Sequence, residues 1–172
     1  HKVKVLDYID EKSSEVLKIL SCNTVVKRKN SWIGYNTDME GFLKPLMSRV
    51  NISAIKKCAV IGAGGAARAV IYALKDSGKE VTIFNRSIER AEALALDFNV
   101  PFYSLKELEL LKDFDLIVQT TSVGMVPLIE KTPLPGYTFK KDQIVYDIVY
   151  TPRETRLLRD AKLSGSVTID GF

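Results

Sequence analysis

A chain of 172 residues, 46% apolar and 27% charged, fits one domain, or one domain with a fragment of another, and can bury a sizeable core without staples. Its net charge of +4 is modest and, apart from Lys27-Arg28-Lys29, scattered, which gives a mild bias towards anionic ligands and excludes a nucleic-acid footprint. The two cysteines, Cys22 and Cys58, each stand alone in an apolar run, which excludes a disulfide framework, and the apolar stretch from Cys58 to Leu74 is broken by three glycines and Arg68, which excludes a membrane span.

Residues from about Val3 to Leu20 have broadly helical apolar spacing, with Ser13-Ser14 as a break point. Thr24-Val25-Val26 and Trp32-Ile33-Gly34-Tyr35 read as short strands of a hairpin joined by the polar Lys27 to Ser31. Thr37-Asp38 then caps a helix from about Met39 to Val50. A natural boundary falls near residues 42–56. Beyond it, Cys58 to Ile61 is a continuous apolar run, as expected for a strand buried on both faces. Gly62 to Gly65 is a turn, Ala66 to Ser77 a helix stopped by Gly78, and Glu80 to Phe84 the next strand. Ser87 caps a helix from Ile88 to Phe98. Val100 to Tyr103 reads as a strand, Leu105 to Leu111 as a short helix, and Asp115 to Gln119 as another buried strand. Pro127 to Thr138 is a loop with three prolines. A strand Gln143 to Tyr146, a helix Glu154 to Leu163 and a strand Ser166 to Ile169 follow. Strands alternating with helices imply an α/β fold, a Rossmann-type doubly wound parallel sheet covered on both faces. Both ends, His1-Lys2 and Ile169 to Phe172, read as cuts through a longer polypeptide. No signal peptide precedes the first helix, so a cytoplasmic protein is expected.

Gly62-Ala63-Gly64-Gly65-Ala66-Ala67 matches G-x-G-x-x-A between a buried strand and a helix, the context that gives this pattern meaning. Gly62 permits the tight turn, Gly64 lets the backbone approach a diphosphate, and Ala67 lets helix and strand pack closely. The helix N-terminus then attracts the anion. An NAD site places an acid at the end of the second strand. Here that strand ends in Asn85-Arg86-Ser87, with Arg90 one turn on. Two arginines suit a 2′-phosphate, so the expected cofactor is NADP.

These residues resemble a known family, the shikimate dehydrogenases. The resemblance rests on Cys22-Asn23-Thr24-Val25, Gly34-Tyr35-Asn36-Thr37-Asp38 with Gly41-Phe42, and the run Val60 to Ala69. It continues through Asn85-Arg86-Ser87 with Arg90, Thr121 to Met125, and Asp147 to Tyr150 with Pro152 and Thr155. It implies a two-domain enzyme that reversibly reduces 3-dehydroshikimate to shikimate with NADPH, in a cleft between a substrate domain and a Rossmann domain. Residues 1–43 would be the C-terminal part of the former and residues 44–172 the latter.

The resemblance also implies roles. Lys2 and Asp38 match the catalytic pair; Asn23, Asp38 and Tyr150 match substrate contacts. Gly62, Ala63, Gly64, Gly65 and Ala66 match the diphosphate loop. Asn85, Arg86, Ser87 and Arg90 match the adenosine phosphate site. Thr121 and Ser122 match a loop beside the cofactor, and Ile148 and Gly171 match positions beside the nicotinamide. Gln119-Thr120 stands where Asn-Ala is usual, and Met39 where glycine is common. The family's paired serines before Lys2 and its glutamine after Phe172 are absent from the chain. Other readings stay open: a non-catalytic NADP-binding module, a regulatory relative, or a quinate or NAD enzyme. The expected partner is a small molecule, with no nucleic acid, membrane or metal; monomer and homodimer are both open.

Chemically, a lysine ammonium can stabilise and protonate the alkoxide-like oxygen formed at a reduced ketone, and such help is worth ~10²–10⁴-fold. Asp38 would hold the lysine and bond a substrate hydroxyl. Asn23 offers both a donor and an acceptor.

Overall fold

The structure is a computed structural model and describes residues 1–171. A 3-10 turn (Lys4–Asp7) leads to a two-residue strand, β1 (Glu11–Lys12), and a short helix, α1 (Ser14–Ile19). The helical stretch expected over Val3 to Leu20, with a break at Ser13-Ser14, is thus a turn, a strand and a helix. Asp10 Oδ2 accepts from Trp32 N at 2.7 Å, and Glu11 and Lys12 pair in parallel with Ile33 and Gly34. Ser13 is extended and its hydroxyl accepts from Val16 N, so α1 begins there and the Ser13-Ser14 break point is a helix cap. Long-range pairing has won over local helical spacing. The hairpin is as expected: β2 (Thr24–Arg28) and β3 (Ser31–Tyr35) pair antiparallel, giving a small sheet of order β1-β3-β2.

Helix α2 (Asp38–Arg49) follows, and the expected boundary between residues 43 and 44 falls inside it. Thr37 makes no side-chain cap; the capping oxygen is Asn36 Oδ1, which accepts from Asp38 N at 3.0 Å. A 3-10 turn (Ile52–Ala54) leads to the second unit. Its elements are β4 (Lys57–Ile61), α3 (Gly65–Asp76), β5 (Glu80–Asn85), α4 (Ile88–Phe98), β6 (Phe102–Ser104), β7 (Leu116–Gln119), β8 (Ile144–Asp147), α5 (Arg156–Leu163) and β9 (Val167–Ile169). The short helix expected over Leu105 to Leu111 is a 3-10 turn displaced to Leu108–Asp113. The last helix starts two residues late because Thr155 is its cap, accepting from Leu158 N.

The six strands are all parallel, in the order β6-β5-β4-β7-β8-β9. Alternate residues on each strand feed two cores. Cys58, Val60, Ile83 and Val118 pack under α2, α3 and α4 with Phe42, Leu46, Leu74 and Leu94. Ala59, Ile61, Phe84 and Ile117 pack on the other face against Leu111, Leu134, Phe139 and Leu157. Phe42 of α2 stacks on Tyr146 of β8 with centroids 5.0 Å apart, and Arg49 reaches Asp170 at 3.5 Å. These contacts fasten α2, and the small sheet before it, onto the large one. The strand order reverses between β4 and β7, so their carboxyl ends open a crevice. Among the described residues, no helix is long and apolar enough to cross a membrane.

Candidate functional site

That crevice is a cavity of about 820 Å³, within the range usual for ligand sites. Gly62, Ala63 and Gly64 form its floor, Asn85, Arg86 and Arg90 one side, and Thr121 and Ser122 another. Gly62 has φ +115°, and a Cβ there would come within 2.6 Å of Thr120 Oγ1, so glycine is required twice over. Gly64 differs: its φ is −106°, and a Cβ on it would meet no protein atom within 4 Å. Only something lying in the cavity would feel a side chain there. The first amides of α3 have no partners within the helix and face this end of the strand, a natural anion seat. No carboxylate ends β5; Asn85 Nδ2 donates to Ser87 O at 2.8 Å and closes that turn. The donor set therefore fits a phosphorylated dinucleotide.

Five of the expected nucleotide residues do not line the cavity. Gly65 and Ala66 open α3 and offer their amides at this end, but they are not among the residues that line the cavity; on its other side Gly65 faces Lys2, where a Cβ on Gly65 would lie 2.7 Å from Lys2 Cβ and 3.1 Å from Ser21 Oγ. Ser87 caps α4 through Arg90 N and donates its proton to Glu89 at 2.7 Å. Ile148 and Gly171 sit together at the carboxyl edge, where a Cβ on Gly171 would touch Ile148 O at 2.5 Å. Conversely, Glu130, Lys131, Thr132, Pro133 and Arg156 line the far wall. Nothing local in the sequence marks them, because the proline-rich loop and α5 are brought across by the fold. Arg156 donates to Glu130 O at 3.0 Å, and Arg159 neutralises Glu130 Oε2 at 3.0 Å, so the acid adds no unpaired negative charge to the wall.

The polar cluster expected from residues far apart in sequence is assembled. Lys2 Nζ donates to Asp38 Oδ2 at 2.6 Å, and Asn23 Nδ2 donates to Asp38 Oδ1 at 2.8 Å. Asn23 is saturated: Nδ2 also donates to Thr37 Oγ1 at 3.0 Å, while Oδ1 accepts from Thr37 N and Thr24 Oγ1. In this state it orients Asp38. The Lys2 and Asp38 side chains are 39% and 27% exposed, open to a ligand yet held. The backbone of Lys2 is fixed by Cys22 N, which donates to its carbonyl at 2.8 Å, and buried Ser21 donates to Gly65 O at 3.2 Å. Gly65 thus joins the start of α3 to the lysine. Tyr150 is 60% exposed, and among the described residues no hydrogen bond or ring contact ties it to this cluster.

One titratable group near the site has a large shift. Asp147, at the end of β8, is fully buried, and desolvation pushes its carboxyl up to about 6, although Thr155 Oγ1 at 2.6 Å and Val149 N at 3.0 Å donate to it. It fastens the turn before α5.

The strand order, the glycine turn and the cavity-lining arginines define a Rossmann-type dinucleotide-binding unit. A family model described as Shikimate / quinate 5-dehydrogenase matches residues 47–159, and the chain belongs to that family. It is 38% identical over 180 residues to a shikimate dehydrogenase (NADP(+)) of Bacillus cereus, covering all of this chain and 65% of the relative. Shikimate dehydrogenase from Aquifex aeolicus superposes with a TM-score of 0.89 at 39% identity, over 99% of this chain and 63% of that one. The Thermus thermophilus shikimate 5-dehydrogenase in complex with NADP(H) and shikimate gives 0.85 at 36% identity, over 99% and 63%. The chain therefore spans slightly less than two thirds of the length of these relatives.

Proposed function

We propose that this chain is the larger part of an NADP-dependent shikimate dehydrogenase, which reversibly reduces 3-dehydroshikimate to shikimate. The observation that carries the reading is the Lys2–Asp38–Asn23 chain of hydrogen bonds, docked through Gly65 onto the helix that begins at the nucleotide turn. It supports the reading because it holds a proton donor on the helix that begins at the nucleotide turn. The B. cereus relative carries this activity in its name, and the T. thermophilus structure contains both NADP(H) and shikimate.

Residues 1–43 then belong to a substrate domain and residues 44–172 to the NADP domain. The helix α3 N-terminus and Gly64 seat the diphosphate, and Arg86 and Arg90 hold the 2′-phosphate. When bound, the nicotinamide supplies or takes the hydride. The Lys2 ammonium gives its proton to the developing alkoxide oxygen, and in the reverse direction neutral Lys2 takes it back. Asp38 keeps the lysine in place and accepts from a substrate hydroxyl. Asn23 exchanges its bond to Thr37 for a neighbouring hydroxyl, and Tyr150 closes on the substrate from its exposed turn. Two unpaired buried cysteines, with the Cys58 thiol pushed up to about 12 by burial, fit a reducing cytoplasm.

The test is NADP reduction with shikimate, then with quinate, on this chain and on one restored to the length of its relatives. Shikimate turnover by the restored protein is the expected result. Preference for quinate, or no turnover with either, would remove the reading.

A further inference from the structure

Gln119 is the last residue of β7 and is fully buried. Its carboxamide is spent on one turn of the cavity wall. Oε1 accepts from Thr121 N at 2.9 Å, and Nε2 donates to Thr121 Oγ1 at 2.9 Å and to Val123 O at 3.0 Å. The amide cannot be flipped, because a backbone N–H only donates and a carbonyl only accepts. Thr121 Oγ1 accepts a second bond, from Val123 N at 3.2 Å.

A hydroxyl has two acceptor sites and one proton. In Thr121 both acceptor sites are filled, so all it can still do is donate. Among the described residues no protein acceptor takes that proton, and Thr121 lines the cavity. Its neighbour has the opposite character: Thr120 gives its proton to Ile61 O at 2.7 Å. Two adjacent threonines are thereby sorted, one into a structural donor inside the turn and one into a donor for a ligand.

We propose that Gln119 is a positioning residue that makes Thr121 a one-way hydrogen-bond donor to an acceptor oxygen of the bound dinucleotide. This rests on the reading of the cavity as an NADP site. From the end of β7 the carboxamide spans residues 121 and 123 together.

Calorimetric titration of NADP into the chain and its variants is the test. Thr121→Val keeps the shape but removes the donor together with the oxygen that accepts from Gln119 Nε2 and Val123 N, and weakens binding by about tenfold or more. Thr121→Ser restores the donor and binds within about threefold of the parent by the same reasoning. Gln119→Glu replaces Nε2 by an acceptor, turns the Thr121 proton inward and also weakens binding. Because both changes remove the same bond, their combined loss falls well short of the product of the separate losses. Parent-like affinity in Thr121→Val, or no recovery in Thr121→Ser, would overturn the donor. Multiplicative losses would overturn the link to Gln119. A parent chain that binds no NADP would overturn the cofactor reading and this inference with it.

Discussion

All four residues of β7 are buried, whereas in β2 everything from Val25 to Arg28 is exposed. The large sheet is held by two apolar cores, one on each face, and the cavity at its carboxyl edge inherits that rigidity. The small sheet has only a minor cluster of Ile9, Val16 and Cys22. The lysine before it is held by two polar bonds, the Asp38 ion pair and the Cys22 amide, and by the close approach of its stem to Gly65. The nucleotide seat is thus set by packing, while the proton donor is set by a short list of directional contacts. Single substitutions should damage the second region in function without damaging the first.

The largest expected effect is on that list. In the length-restored protein, Lys2→Ala and Asp38→Ala each lower kcat by ~10²–10⁴-fold, the usual scale of acid–base help, while NADP affinity is unchanged. Equal loss of NADP affinity would show that the two regions are not separable. Next is Gly65→Ala, whose Cβ would have to displace the Lys2 stem. A catalytic group misplaced by an ångström costs on the order of 10²-fold, so steady-state kinetics should show kcat down by ~10–100-fold with the nucleotide still bound. An unchanged kcat would mean that the lysine is not seated on α3.

How much of this was legible follows the same division. The parallel sheet was readable because continuous apolar runs such as Cys58 to Ile61 need burial on both faces, and Ser87 as a cap because helix starts are local. Within Val3 to Leu20 the break at Ser13-Ser14 was readable, but the strand before it was not, since it depends on pairing with Ile33 and Gly34 more than twenty residues away. Lys2, Asp38 and Asn23 were identified through family resemblance, and their meeting is a tertiary event. Gly65 enters the diphosphate loop through the resemblance alone; that a Cβ there would meet Lys2 and Ser21 is a tertiary fact. The far wall, Glu130 to Pro133 and Arg156, carries no local pattern at all.

Smaller effects sharpen the account of the packed region. Arg86→Ala should weaken NADP by ~10–100-fold, the range for a lost charge-assisted contact, and leave NAD within about twofold. Equal weakening of both would remove the 2′-phosphate assignment. Asp147 tests the packing itself. Its folded carboxyl titrates at about 6, above the ordinary 3.8, so the folded state takes up this proton first. Its contribution to stability is present at low pH and is lost as pH rises from about 4 through about 6, by up to about 3 kcal/mol. Urea melts of Asp147→Asn, which keeps a partner for both Val149 N and Thr155, should lack that slope; a slope equal to the parent's would assign it elsewhere.

The most direct measurement is NADP binding by Gly64→Val, with thermal melting alongside. The backbone at residue 64 is ordinary for valine, and no protein atom stands within 4 Å of the new Cβ, so the parent's melting temperature should be retained. If a diphosphate lies against this turn, the two added methyls occupy its place and NADP binding falls below detection. Parent-like affinity in a normally folded Gly64→Val protein would contradict the account.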